Sequence, residues 1–166
     1  MRQNNYSFEK TVDLLLIPIF LFSCNNMKDN LINKAEKECG CSGKSSCIIV
    51  LKDVTRFKWD KMYLFPAWTI SDSISNKIGF KYMEEDVPDD NTRMLFTLGN
   101  KVVHEEDFVS LDYHSVIDFS MAGDSIHKGR LYYLTPTQAI FKVEKTKDKD
   151  ACKDCYIYSF ALIKRK

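Results

Sequence analysis

The sequence predicts an α+β domain, with a mainly antiparallel meander sheet and one or two short helices on one face. Aromatic residues make up 13% of the 166 residues, and bulky aromatic side chains favour strands. Short apolar runs follow one another along the chain, without internal repeats or low-complexity tracts. One segment, Ser71–Ile78, has the apolar spacing of a helix instead. Successive short strands with few helices are typical of an antiparallel sheet.

Several runs predict strands. Cys47–Leu51 is short, apolar and rich in β-branched residues, so we expect a buried strand there. Thr92–Leu98 and Lys101–His104 flank Gly99-Asn100, a dipeptide that suits a two-residue hairpin turn. Pro66 should end an earlier strand, because proline cannot donate a hydrogen bond to a sheet. That earlier strand and four later ones are predicted at residues 59–65, 115–119, 130–134, 139–145 and 156–164.

Two helices are predicted. Ser71–Ile78 carries isoleucines four residues apart on one face, and Gly79 follows as a stop signal. Ser71 is expected to cap the N-terminus of this helix with its hydroxyl group. Residues 31–38 predict a second short helix. Between the Ser71–Ile78 helix and the hairpin, residues 84–91 are strongly acidic and predict an exposed loop.

The N-terminal residues have the pattern of a bacterial export signal. An apolar run from Leu14 to Phe22 is shorter than the 20 or so residues needed to span a bilayer, and it has the length of a signal-peptide core. Residues 21–24, Leu-Phe-Ser-Cys, resemble the lipobox of bacterial lipoproteins. The resemblance implies cleavage before Cys24 and acyl chains on Cys24 that anchor the protein to a membrane. The alternative is an internal buried segment that ends in an incidental cysteine.

These features predict a signal peptide over residues 1–23, a tether over 24–30 and a single domain over 31–166. A chain of this length can bury one core of ordinary size. The net charge of +1 gives no basic excess that would indicate nucleic acid as a partner. The predicted location is the bacterial cell envelope, with the membrane itself as the first partner through the lipid anchor.

The remaining cysteines predict disulfides, which are expected outside the cytoplasm. Cys152 and Cys155 could close on each other, and Cys47 could pair with Cys39 or Cys41. Two alternatives stay open. The Cys39–Cys41 and Cys152–Cys155 pairs could together supply four thiolates to zinc, and the Cys-x-x-Cys spacing could be redox active.

The most distinctive run after the signal is Phe57–Phe65. It resembles a Phe-x-Trp-Asp-Lys-x-Tyr-x-Phe motif of small bacterial lipoproteins, and the resemblance extends from about Val50 to Asp107. It implies a related fold and no particular activity. Trp59 is expected to pack in the core. The alternative is an aromatic ligand platform that Trp59 shares with Trp68.

Two classes of function compete. The first is a non-enzymatic, lipid-anchored binding domain with an envelope protein as its partner; immunity against a toxin is one version of it. The second is a small envelope hydrolase or metal-dependent enzyme that uses His104, Asp112, His114 or the cysteines. The first is favoured, because the histidines show no metal-binding spacing and no serine lies in a nucleophile motif. We therefore assign no catalytic residue, metal or cofactor.

Overall fold

The computed structural model describes residues 26–40, 46–109, 115–119, 133–147 and 156–163. This part of the chain holds two α-helices and seven strands in two sheets, which confirms the predicted α+β class. The helices are Met27–Ala35 (α1) and Ser71–Ile78 (α2). The strands are Ser46–Val50 (β1), Lys61–Pro66 (β2), Asn91–Leu98 (β3), Lys101–Val109 (β4), Ser115–Asp118 (β5), Ile140–Lys147 (β6) and Tyr156–Leu162 (β7). None of the helices in these ranges has the length and apolar character needed to cross a membrane.

One sheet is the predicted meander. Its strand order is β2-β3-β4, and both pairs are antiparallel. The β3–β4 turn falls at Gly99 and Asn100, with Leu98 opposite Lys101, as the sequence predicts. Gly99 has a φ of 58°, a left-handed conformation that glycine adopts without steric cost. Phe96 pairs with His104 and Thr97 pairs with Val102, so the skipped Val103 marks a bulge in β4.

The other sheet departs from a meander. Its order is β1-β6-β7-β5, with β5 parallel to β7 and the other pairs antiparallel. Strand β1 therefore pairs with a strand that lies about ninety residues later in the chain, for example Ile49 opposite Phe141. Strand propensity marks where a strand forms but carries no information on a partner so distant. Of the predicted strand at 130–134, the described part contributes only a bridge between Leu134 and Met62.

The main core lies between the two sheets and is rich in aromatic rings. Phe96 and Phe108 from the meander face Phe141 and Phe160 from the second sheet, and Phe119 packs against three of these rings. Helix α1 closes this core with three fully buried side chains, Met27, Leu31 and Ala35. A buried aromatic side chain removes about 150–250 Å² from water, so each of these five rings contributes strongly to the stability of the core.

Helix α1 begins four residues earlier than predicted, inside the predicted tether. The side chain of Asn26 accepts the Lys28 N–H at 2.8 Å. The Glu106 carboxylate, from β4, accepts the N–H groups of Met27 at 2.7 Å and Lys28 at 3.1 Å. A carboxylate satisfies the free N–H groups at a helix start and complements its dipole, which explains the earlier start. The residue that does so lies far away in sequence.

Helix α2 has the predicted bounds and covers the outer face of the meander. Ile74 and Ile78 pack against Tyr63 and Leu95 in a second, smaller core. The predicted N-cap is wrong in its acceptor. The hydroxyl of Ser71 does not cap the helix; instead the Ser71 N–H donates to Oδ1 of Asp86 at 2.7 Å. The acidic loop therefore supplies the carboxylate that the helix start requires.

Candidate functional site

The short segment between β2 and α2 presents an exposed tryptophan. Trp68 is 72% exposed and has a φ of 65°. A left-handed conformation costs a residue with a side chain about 1–2 kcal/mol, so it persists only where the surroundings impose it. Here the N–H and hydroxyl of Thr69 both donate to the Pro66 carbonyl, at 3.3 and 2.7 Å, and close the turn around Trp68.

The acidic loop holds this turn from the other side. The Trp68 N–H donates to the Val87 carbonyl at 3.1 Å, and the Val87 N–H donates to the Thr69 carbonyl at 3.0 Å. Val87 is 2% exposed and packs into the smaller core beneath α2. The two segments are thus bound together through their backbones, and the indole is held out in solvent on a fixed support.

A buried arginine fixes the acidic loop to the sheet. Arg93, 6% exposed, donates two hydrogen bonds of 2.7 Å to Asp107 on β4. Its Nη1 also donates to the Glu85 carbonyl at 2.6 Å and to the Tyr82 hydroxyl at 2.8 Å. The Tyr82 hydroxyl donates in turn to Glu105 at 2.7 Å.

The protonation states in this network follow from the contacts. The hydrogen bonds with Asp107 raise the pKa of Arg93, and they outweigh the opposing effect of burial. Burial, followed by the hydrogen bond to Glu105, raises the pKa of the Tyr82 hydroxyl. The guanidinium stays charged and the phenol stays protonated at neutral pH, so each of these hydrogen bonds keeps its donor.

A groove of about 660 Å³ opens beside Trp68. Its apolar lining comes from Trp68, Ile70, Val87 and Pro88, and Ile70 is 51% exposed. Every charged residue that lines it is acidic: Glu84, Glu85, Asp86 and Asp89. We call this site the Trp68 groove. An indole face beside carboxylates suits a ligand that is both apolar and positively charged.

A second groove lies on the other side of the acidic loop. It has a volume of about 690 Å³, and its lining is mixed: the apolar Phe80, Met83 and Val103 lie beside charges of both signs, including Lys81, Lys101 and Glu84. The Met83 side chain is 74% exposed, and that of Val103 is 38% exposed. Glu84 lines both grooves, so the two form one continuous surface across the loop.

The structure places the two tryptophans in different surroundings. Trp59 is 7% exposed, packs edge-on against Phe96 at 5.1 Å, and donates its indole N–H to the Thr55 hydroxyl. It therefore lies in the core, while Trp68 lies at the surface beside the acidic loop. The neighbour of Trp59 in the motif, Asp60, accepts the Gly99 N–H at 2.8 Å and so supports the hairpin turn.

His104, named in the enzymatic alternative, faces the main core from β4. Its ring packs against Phe57 with 4.8 Å between ring centres, and its Nε2 lies 3.4 Å from Oε2 of Glu106. That carboxylate already holds the start of α1. Asp112 and His114 lie outside the described residues. Within the described ranges, no three histidine, cysteine, aspartate or glutamate side chains are grouped closely enough to hold a metal ion.

Cys39 and Cys47 form a disulfide, with 5.1 Å between their Cα atoms. This is one of the two pairings that the sequence left open. It removes Cys39 from the zinc alternative, because a disulfide sulfur is not a thiolate ligand. Cys39 lies in a π-helical turn, Glu36–Gly40, that follows α1. The other cysteines, Cys24, Cys41, Cys152 and Cys155, lie outside the described residues.

No family model matches this chain, and neither a curated protein nor a solved structure does.

Proposed function

We propose that this chain is a lipid-anchored protein of the bacterial envelope, and that its domain is a non-enzymatic binding module that engages a partner protein through the Trp68 groove. The observation that carries the proposal is the exposure of Trp68 on a strained but firmly held backbone. Large aromatic side chains that a fold presents to solvent are typical of the central contacts of protein interfaces.

The conformation and the exposure of Trp68 both cost the isolated domain free energy, and this cost supports a binding function. The left-handed backbone costs about 1–2 kcal/mol, and exposure forfeits the gain from burying the indole. Covering the exposed 72% of this residue would contribute about 3–4.5 kcal/mol at 25 cal/mol per Å². Within the described residues nothing covers it, whereas a partner would.

The anchor is supported by the lipobox-like residues 21–24 and by the start of the domain. Helix α1 begins at Met27, and Glu106 holds its first N–H groups against the sheet. Only Asn25 and Asn26 lie between Cys24 and this helix, and three residues of extended chain span about 10 Å at most. An acyl group on Cys24 would therefore keep the domain close to the membrane surface.

Metabolic labelling with a fatty acid analogue tests the anchor. The wild-type protein should incorporate the label and fractionate with membranes, whereas Cys24→Ser should do neither. Cys41→Ser is the matched control, because it removes a nearby cysteine and should leave labelling intact. Equal labelling of the wild type and Cys24→Ser would remove the anchor from the proposal.

Site-specific photo-crosslinking tests the binding surface. A benzophenone amino acid is placed at position 68 or, as control, at position 133, where Tyr133 is an exposed aromatic residue of similar size. In the cells that carry the gene, position 68 should give a discrete crosslinked species and position 133 should not. The same species from both positions, or none from position 68, would contradict a binding role for this surface.

A further inference from the structure

We infer that the Trp68 groove binds a basic segment of the partner protein, with an arginine or lysine side chain laid on the indole. The inference rests on the proposed function and names the chemistry of its ligand. It follows from the coincidence, in one groove, of an apolar floor, an exposed indole face and a rim of one charge sign. Tryptophan has the strongest attraction of the aromatic side chains for a cation placed over its ring.

Within the described part of the domain, the rim carboxylates have hydrogen-bond partners at only two positions, and both donors are uncharged backbone N–H groups. Asp86 is used at the start of α2, and Asp89 accepts the Asp90 N–H. The carboxylates of Glu84 and Glu85 are exposed and make no ion pair or hydrogen bond among the described residues. No lysine or arginine lines this groove within the same ranges. A cationic ligand would supply the missing charge.

Other cationic or apolar ligands fit less well. The described acidic side chains form no group tight enough to hold a metal ion, so they suit charge that is spread along a chain. Insertion of Trp68 into a membrane is disfavoured, because the acidic rim would then face lipid headgroups that are also negatively charged. A small organic cation would cover Trp68 alone, whereas the exposed apolar lining of the Trp68 groove also includes Ile70.

Peptide titration tests the inference on the full chain, purified in a neutral detergent. The probes are fluorescein-labelled hexa-arginine, its uncharged isostere hexa-citrulline, and hexa-glutamate, followed by anisotropy. Hexa-arginine should bind about tenfold or more tightly than hexa-citrulline, hexa-glutamate should not bind, and added salt should weaken the binding. Equal binding of hexa-arginine and hexa-citrulline would overturn the inference.

Variants locate the contact. Trp68→Ala and the double variant Glu84→Gln/Glu85→Gln should each weaken hexa-arginine binding about tenfold. Tyr133→Ala and Glu144→Gln, which remove an exposed aromatic ring and an exposed carboxylate elsewhere, should leave it unchanged. Unlabelled choline should compete only weakly. Unchanged binding by Trp68→Ala, or choline binding as tight as that of the peptide, would contradict a peptide site here.

The two proposals fail separately. If position 68 crosslinks in the envelope while hexa-arginine does not bind, the surface is a binding site and its ligand is not basic. If position 68 gives no crosslink while hexa-arginine binds as expected, the groove has the inferred chemistry but the anchored protein does not use it as proposed.

Discussion

Arg93 and Asp107 lie opposite each other on β3 and β4 and are joined by two hydrogen bonds of 2.7 Å between guanidinium and carboxylate. The same guanidinium reaches the Glu85 carbonyl at 2.6 Å. The pair thus connects the centre of the meander to the acidic loop that supports Trp68. Its side chains are 7% and 24% exposed, which places it among buried rather than surface ion pairs.

Replacing Asp107 with Leu should lower the free energy of unfolding by about 3 kcal/mol, because it leaves the buried guanidinium without its counter-charge. Urea unfolding measures the change. The control is Glu144→Gln, whose pair with Lys142 is about half exposed. An exposed pair contributes less than about 1 kcal/mol, so a comparable loss in both variants would contradict the role of the buried pair.

Trp68→Gly should raise the free energy of unfolding by about 1 kcal/mol relative to Trp68→Ala, because glycine adopts a left-handed φ without strain. Both variants lose the indole, so both should bind hexa-arginine weakly. Thermal unfolding compares their stabilities. A glycine variant no more stable than the alanine variant would show that the backbone at position 68 is not strained.

Replacing Cys39 and Cys47 together by Ser should destabilise the domain by about 2 kcal/mol, since the disulfide closes a short loop in the unfolded chain. Cys41→Ser should have little effect on unfolding. Peptide mapping without reductant should recover a linked fragment that contains Cys39 and Cys47. Loss of stability in Cys41→Ser, with Cys39→Ser unaffected, would mean that Cys47 pairs with Cys41.

Glu106→Ala should loosen the start of α1, because the N–H groups of Met27 and Lys28 lose their carboxylate. We expect a destabilisation of about 1–2 kcal/mol. Glu106→Gln keeps one acceptor and should cost less. Amide hydrogen exchange at these two residues should accelerate more in the alanine variant. Exchange rates that equal those of the wild type would contradict the contact.

The hydrogen bonds of Glu36 predict that the folded domain loses stability in acid. The hydrogen bond from Lys145, followed by that from Tyr158, lowers the pKa of its carboxyl group. A lowered pKa stabilises the fold above the ordinary glutamate value of about 4.3, and this contribution is lost as the pH falls through the lowered value. Glu36→Gln should therefore flatten the decline of the melting temperature below about pH 4.3. A decline as steep as that of the wild type would assign the acid sensitivity to other carboxylates.

The sequence predicts local structure well because local signals determine it. Ser71–Ile78 and the Gly99-Asn100 hairpin carry their own stop and turn residues, and both form as predicted. Trp59 is buried, as expected for a large aromatic residue within a strand-forming motif. Each of these depends on residues within a few positions of one another.

The rest depends on contacts between distant residues. Glu106 holds a helix that begins 79 positions earlier, and Asp86 takes the capping role expected of Ser71. The Trp68 groove forms because Trp68 and Val87 exchange backbone hydrogen bonds with each other's segments. Neither the acidic run nor the tryptophan alone predicts that these two segments are in contact. The local indications in the sequence are separate: residues 84–91 predict an exposed loop, and Trp68 is named as part of a possible ligand platform.

The proposed binding role depends on one physical property, an indole presented to solvent within a negative rim. Collisional quenching of tryptophan fluorescence by caesium and by iodide ions measures this property directly. The chain has two tryptophans, and Trp59 is buried, so Trp68→Phe gives the background. Each ion's quenching is divided by its quenching of free N-acetyltryptophanamide, because iodide is intrinsically the more efficient quencher. On this scale caesium should quench the Trp68 emission more strongly than iodide, and Glu84→Gln/Glu85→Gln should narrow the difference. Stronger normalised quenching by iodide, or no quenching beyond that of Trp68→Phe, would contradict a solvent-exposed indole within a negative rim.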